Sequence, residues 1–206
     1  MQAKLVRALV FLIAAAPFLW LVYAAAGNHL GPDPARDVMH FSGEWSLRLL
    51  AITLCLSPLR QLGIWSYPFR FRRMLGLFAF FYATLHLVGF GQLYIGWSGS
   101  ILVEELVERP YITAGFAAWV LMLPLAVTST RGWQRRLGRR WIRLHHLVYP
   151  AAVAGCLHLL WQARSDVGEP LVYGLVFAAL LGWRGWRFLD RRSAAKPASP
   201  GPAGGA

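Results

Sequence analysis

Carboxylates are scarce in this chain: nine Asp and Glu stand against twenty-one Lys and Arg in 206 residues. None of the nine lies deep inside an apolar run. A transporter or proton channel that relays protons through buried acids therefore lacks its expected groups. Cysteine is nearly absent as well. Cys55 and Cys156 each sit within an apolar stretch, and no CxxC or CxxCH occurs. That argues against a zinc site and against covalently attached haem, and leaves two small buried residues as the simpler reading. No P-loop is present, and GFGQLYIG (89–96) has no strand before it. Its glycines are read as permitting close helix packing rather than binding a nucleotide. No soluble module follows the apolar blocks, so nucleotide chemistry is expected from a partner.

What remains is strongly apolar. Hydrophobic residues make up 57% of the chain, aromatics 14%, and the mean hydropathy is +0.45. The apolar residues fall in long blocks rather than at strand or helix periods, which predicts an all-α polytopic membrane protein. Six transmembrane helices are predicted, near 5–26, 45–58, 74–95, 110–128, 141–161 and 170–189. The first has a basic start like a signal peptide, but its length fits a retained span. The fourth begins at Pro110, where a missing N–H costs nothing. Arg48 falls near the first turn of the second. Residues 1–189 thus read as one membrane domain, and 190–206, rich in Ala, Pro, Gly and Ser, as a disordered tail.

The formal charge of +12 does not point to nucleic acid, because the cations cluster in short segments between apolar blocks. Arg60, Arg70, Arg72 and Arg73 share one loop, and Arg131, Arg135, Arg136, Arg139 and Arg140 another. Only Arg36, Arg109 and Arg164 fall on the opposite side, with Arg48 close by. By the positive-inside rule both termini are cytoplasmic. The segment SILVEELVERP then faces outward. Ile101, Leu102, Leu106 and Val107 are expected to form the apolar side of a short interfacial helix, with Glu104, Glu105 and Glu108 toward water.

Histidines carry the chemistry. Ionisable groups inside a span are functional hypotheses by default. His86 lies thirteen residues beyond Arg73, and His158 fifteen beyond Arg143, on helices of the same direction. The two are therefore expected at similar depth, in the outer half of the bilayer. Equal depth on two parallel helices suits bis-histidine ligation of one haem. Gly89, Gly91, Ala154 and Gly155 are expected to leave room for a flat ring. His145 lies thirteen residues before His158, roughly 20 Å along an ideal helix and on a different face. Pro150 between them is a candidate kink. His145 could ligate a second cofactor, bond a propionate, or line a quinone or flavin site. His146 reads as an interfacial group, and His29 and His40 as surface groups.

The runs MHFSGEWSLRLLAITLCLSPLRQLG, FRRMLGLFAFFYATLHLVGF, ERPYITAGFAAWVLMLPLAVTS and RRLGRRWIRLHHLVYPAAVAGCLHLLW come in this order. Together they resemble the haem-binding membrane subunits of bacterial protein-methionine-sulfoxide reductase systems, within the wider ferric-reductase-like transmembrane group. The resemblance covers nearly all of the chain except the tail. It implies a six-helix b-type cytochrome of the bacterial inner membrane that binds haem b and also FMN. Such a subunit would pass electrons, from the quinone pool or a cytosolic flavin donor, to a periplasmic molybdopterin-containing methionine sulfoxide reductase catalytic subunit. By the same resemblance the ligand histidines are His86, His145 and His158, and no FMN residues are assigned. A stand-alone ferric reductase or oxidase core is the alternative within redox proteins. A histidine-relay transporter is the alternative outside them.

Overall fold

The computed structural model describes residues 2–64, 67–163 and 168–194. Among these the regular structure is helical, with no strand. The helices are α1 (Gln2–Ala26), α2 (Pro34–Gln61), α3 (Arg72–Leu93), α4 (Gly99–Glu108), α5 (Pro110–Val127), α6 (Arg131–Leu137), α7 (Arg139–His145), α8 (Val148–Gln162) and α9 (Gly168–Ala194). A 3-10 turn, Pro68–Phe71, leads into α3. Arg164, Asp166 and the predicted tail beyond Ala194 lie outside the described residues.

Three segments are long and apolar enough to cross a membrane: Gln2–Ala26, Pro68–Leu93 and Pro110–Val127. The six predicted spans reduce to three on that criterion for identifiable reasons. α2 carries Asp37, Glu44 and Arg48, α8 has only 15 residues, and α9 includes Glu169, Arg184 and Arg187. The surface is inverted relative to a water-soluble protein. Leu12, Ile13, Val172 and Leu175 are each more than half exposed. Apolar surface on this scale needs a lipid or protein partner.

Several predicted boundaries are corrected. The loop expected at 27–41 is half helix. Asp33 caps α2 by accepting from the Arg36 N–H, and Pro34 occupies the first turn. Both are helix-start signals that resemble loop composition in the sequence. Arg48 accordingly sits midway along α2, donating to Glu44 at 2.8 Å and to the Tyr173 hydroxyl at 3.0 Å. The basic loop near 130–140 is mostly α6 and α7, hinged at Gly138 with φ 49°. The predicted fifth helix is broken at His146–Leu147, one turn before Pro150. Proline removes the N–H that would bond the carbonyl of residue 146, and its ring crowds that carbonyl. At the other end, α9 runs past residue 189 to Ala194, so the tail predicted from 190 begins as helix. α4 forms as expected, but Glu105 is half-buried and paired with Arg109 at 3.2 Å, while Val103 and Val107 are exposed.

The core joins α2, α3, α5, α8 and α9 through Leu47, Leu50, Leu54, Ala79, Tyr82, Met122, Ala151, Ala152 and Phe177. α2 packs mainly on α3, and α5 mainly on α8. These two hairpins are the same motif twice. A shift of 72 residues carries Gly43, Leu75, Ala79 and the triplet Leu85-His86-Leu87 onto Gly115, Leu147, Ala151 and Leu157-His158-Leu159. Ala79 and Ala151 are both fully buried.

The helix ladders beside two internal prolines are bridged from neighbouring helices. Pro17 interrupts α1. There the fully buried Tyr82 inserts its hydroxyl into the ladder, accepting from the Phe18 N–H at 3.0 Å and donating to the Ala14 carbonyl at 2.8 Å. Pro58 likewise strips the Leu54 carbonyl of its donor, and Arg184 of α9 supplies one at 2.6 Å. Without water nearby such groups must find protein partners. Tyr82→Phe removes one hydroxyl and leaves both α1 groups unpaired, at a cost of about 1–3 kcal/mol. The expected outcome is a lower thermal midpoint in detergent; an unchanged midpoint would show that α1 heals without the hydroxyl.

Candidate functional site

His86 of α3 and His158 of α8 face each other. Their ring centroids are 6.0 Å apart and the ring planes cross at 81°. Each ring is set the same way. His86 Nδ1 lies 2.9 Å from the Met39 carbonyl, and His158 Nδ1 lies 2.7 Å from the Tyr111 carbonyl. In both cases the acceptor is 47 residues earlier in the chain.

The approach is possible because a glycine stands four residues after each acceptor. A Cβ on Gly43 would meet the His86 ring at 3.2 Å, and one on Gly115 would meet His158 Nδ1 at 2.8 Å. Each ring therefore lies in a notch on the facing helix and reaches the carbonyl one turn below. Ser42, fully buried, adds its hydroxyl 3.5 Å from His86 Nδ1 while donating to the Val38 carbonyl.

A main-chain carbonyl only accepts, so each Nδ1 is the protonated nitrogen. That leaves the Nε2 lone pair of both rings free to bind. Tying one imidazole nitrogen to a carbonyl is the usual way a protein orients a ligating histidine. Two metal–nitrogen bonds of about 2 Å, with the offset of each nitrogen from its ring centre, set two such rings about 6 Å apart. The observed 6.0 Å matches that separation. Among the described residues no cluster of three or more His, Cys, Asp or Glu exists that could hold a metal ion. A pair alone fits a metal that brings its own equatorial ligands, as haem iron does.

The other predicted residues are placed differently. His145 ends α7, half-buried, stacked on Trp141 with centroids 3.8 Å apart and its Nδ1 3.1 Å from the Trp141 carbonyl. The helix break after it voids the single-helix angle expected between His145 and His158. His146 is exposed and stacks on Tyr149. His29 and His40 are exposed. The glycines expected to make room for a flat ring do other work: Gly89 abuts Met39, Gly91 abuts Trp97 and Gly155 abuts Leu47. Gly43 and Gly115, which the ring notches need, went unnoticed. The signal was present as the 72-residue repeat that places a glycine 43 residues before each histidine.

The notches make a direct prediction. In protein with 15N-labelled histidine and no ligand, His86 and His158 should show the Nδ1–H tautomer. Gly115→Ala should shift the His158 signals toward the Nε2–H form and leave His86 nearly unmoved. Unchanged His158 shifts would show that the carbonyl bond does not fix its tautomer.

Comparison with known proteins places this architecture. Residues 42–156 match the family described as ferric reductase like transmembrane component. A protein-methionine-sulfoxide reductase heme-binding subunit, MsrQ, of Xanthomonas axonopodis pv. citri is 49% identical over 185 residues, covering 89% of this chain and 85% of that one. The subunit of the same name from Yersinia enterocolitica is 42% identical over 188 residues, covering 91% and 94%. The one from Xanthomonas oryzae pv. oryzae is 48% identical over 182 residues, covering 88% and 84%. No solved structure matches significantly.

Proposed function

The chain belongs to the ferric reductase like transmembrane component family, among the haem-binding subunits of protein-methionine-sulfoxide reductase, and we propose that it carries electrons for such a reductase. The reading is a b-type cytochrome of the bacterial inner membrane. It takes electrons from the quinone pool or a cytosolic flavin donor and delivers them to a periplasmic molybdopterin-containing catalytic subunit. It performs no substrate chemistry of its own.

The observation that carries this reading is the opposed pair His86 and His158, each with Nδ1 held by a carbonyl and Nε2 free. These two imidazoles are the proposed axial ligands of one haem b. When bound, haem supplies a one-electron carrier whose potential its axial ligands and their hydrogen bonds set. The chain's own contribution is orientation. The Met39 and Tyr111 carbonyls make each imidazole a stronger ligand and fix its plane. Gly43 and Gly115 keep the notches open. Neutral imidazoles are also tolerable in the apolar interior, unlike a fixed charge.

His145 is proposed as a secondary cofactor contact, supported by its half-buried place at the arginine-rich end of the bundle. FMN is retained as a second cofactor on family resemblance. The six-span topology with both termini cytoplasmic is supported by the arginine distribution. α2 and α9 then cross despite their charged groups, because those groups pair within the bundle or lie near its ends, and α8 crosses despite its 15 residues.

Haem ligation has a direct test. His86→Ala and His158→Ala should each abolish most of the α-band of reduced, detergent-purified protein, while His29→Ala and His40→Ala should leave it nearly unchanged. Gly115→Ala should weaken haem retention by about 10–100-fold, as loss of an outer-shell contact does. Normal haem content in both folded histidine variants would exclude the pair. Topology is checked separately: a reporter active only in the periplasm should work after Ile101 and fail after Arg136.

A further inference from the structure

At the arginine-rich end of the bundle, an open cleft lies between the end of α2 and the start of α3. Ser57, Arg60, Gln61, Phe69 and Arg72 line it. Phe69 forms a platform for both cations. The Arg60 guanidinium carbon stands 4.4 Å from the ring centroid and that of Arg72 5.3 Å from it. The aromatic face thus holds two like charges around one cleft, where they would otherwise repel. Arg72 also donates to the Ser57 hydroxyl at 3.4 Å.

No carboxylate balances this charge among the described residues. The ion pairs are Arg48 with Glu44 and Glu169, at the middle of α2 and the start of α9, and Arg109 with Glu105, at the opposite end. Of the described Asp and Glu, only Asp190 belongs to this end, on the exposed last part of α9. Deeper in, Arg184 adds a third positive charge, committed to the Leu54 carbonyl one turn from Ser57. Topology alone explains why arginines are at this end. It does not explain two guanidiniums and a hydroxyl converging on one cleft with an aromatic floor.

We propose that this cleft binds a phosphate group, held by the guanidiniums of Arg60 and Arg72 and the hydroxyl of Ser57. Guanidinium forks match phosphate oxygens two at a time, and charge-assisted bonds of this kind are the strong ones. The phosphate has two possible sources. One is a soluble phosphate monoester whose flat ring packs beside Phe69. The other is the headgroup of an anionic lipid, which basic pockets at this membrane face accept. The first source deepens the flavin part of the proposed function by naming residues for it; the site is independent of the haem ligands.

The test uses the full chain, purified with its haem in detergent and stripped of lipid. Binding of riboflavin 5′-phosphate is compared with that of riboflavin by fluorescence quenching. Retained phosphatidylglycerol is measured by native mass spectrometry after reconstitution with it. Arg60→Gln and Arg72→Gln should each weaken the bound species about tenfold, as loss of one charge-assisted bond does. Arg73→Gln, an exposed neighbour outside the cleft, should have little effect. Haem absorbance and elution volume verify that each variant is folded. Selective loss of the flavin phosphate identifies the monoester, and selective loss of the lipid identifies the headgroup. Equal retention in wild type and both cleft variants would overturn the site, and so would an equal loss in Arg73→Gln. Flavin phosphate that still binds both cleft variants while lipid retention is also unchanged would overturn this site and leave the flavin reading standing.

Discussion

A hydrogen bond from a histidine ring to a carbonyl on the facing helix sets the geometry on which the centre of this molecule depends. It occurs twice, from His86 to Met39 and from His158 to Tyr111. Each bond requires two helices to approach closely enough for a ring to lie against bare backbone. That explains why glycine stands at 43 and 115, and why the tightest helix pairs are α2 with α3 and α5 with α8. The small fully buried residues Ala79, Ala151 and Ala152 follow the same demand for close approach. A larger side chain at any of them would push the hairpin apart and lengthen the bond before it touched a histidine.

Backbone satisfaction is the second constraint. In a lipid-facing protein every proline inside a helix strands a carbonyl that water cannot reach. Arg184 answers one such case from α9, and Tyr82 bridges the ladder bond next to Pro17 from α3. Both residues therefore couple chain segments far apart in sequence. Tyr82 pins α1, which otherwise makes few contacts, and Arg184 ties α9 to α2. A charged group reaching into an apolar bundle looks anomalous in a hydropathy reading, yet here it closes a helix ladder.

Much of this was legible in the sequence, and the exceptions share a cause. The helical class, the start of α5 at Pro110 and the choice of His86 and His158 follow from block hydropathy and counting along single helices. The start of α2 was missed because Asp33 and Pro34 look like loop residues until read as cap and first turn. The break at His146–Leu147 answers to the candidate kink at Pro150, but the span 141–161 hides it because hydropathy is blind to a proline's effect on the carbonyl four residues back. Gly43 and Gly115 were missed for a different reason. Their role exists only between helices, and helix pairing cannot be read along one helix. The repeat that relates them was in plain view but is weak, preserved chiefly at the residues that make the notch.

The repeat also has a mechanical meaning. Each histidine belongs to its own hairpin, so the pair exists only across the seam where the two hairpins dock. Within a hairpin the contacts are local and numerous, whereas α3 and α5 meet more sparingly. Any group grasped by both rings acts as a rivet through that seam. It binds the docked form and not the parted one, so its affinity adds directly to the cohesion of the whole bundle. Assembly of the membrane domain and loading of the site are then linked equilibria, and a chain that cannot fill the site holds its halves by the shared core alone.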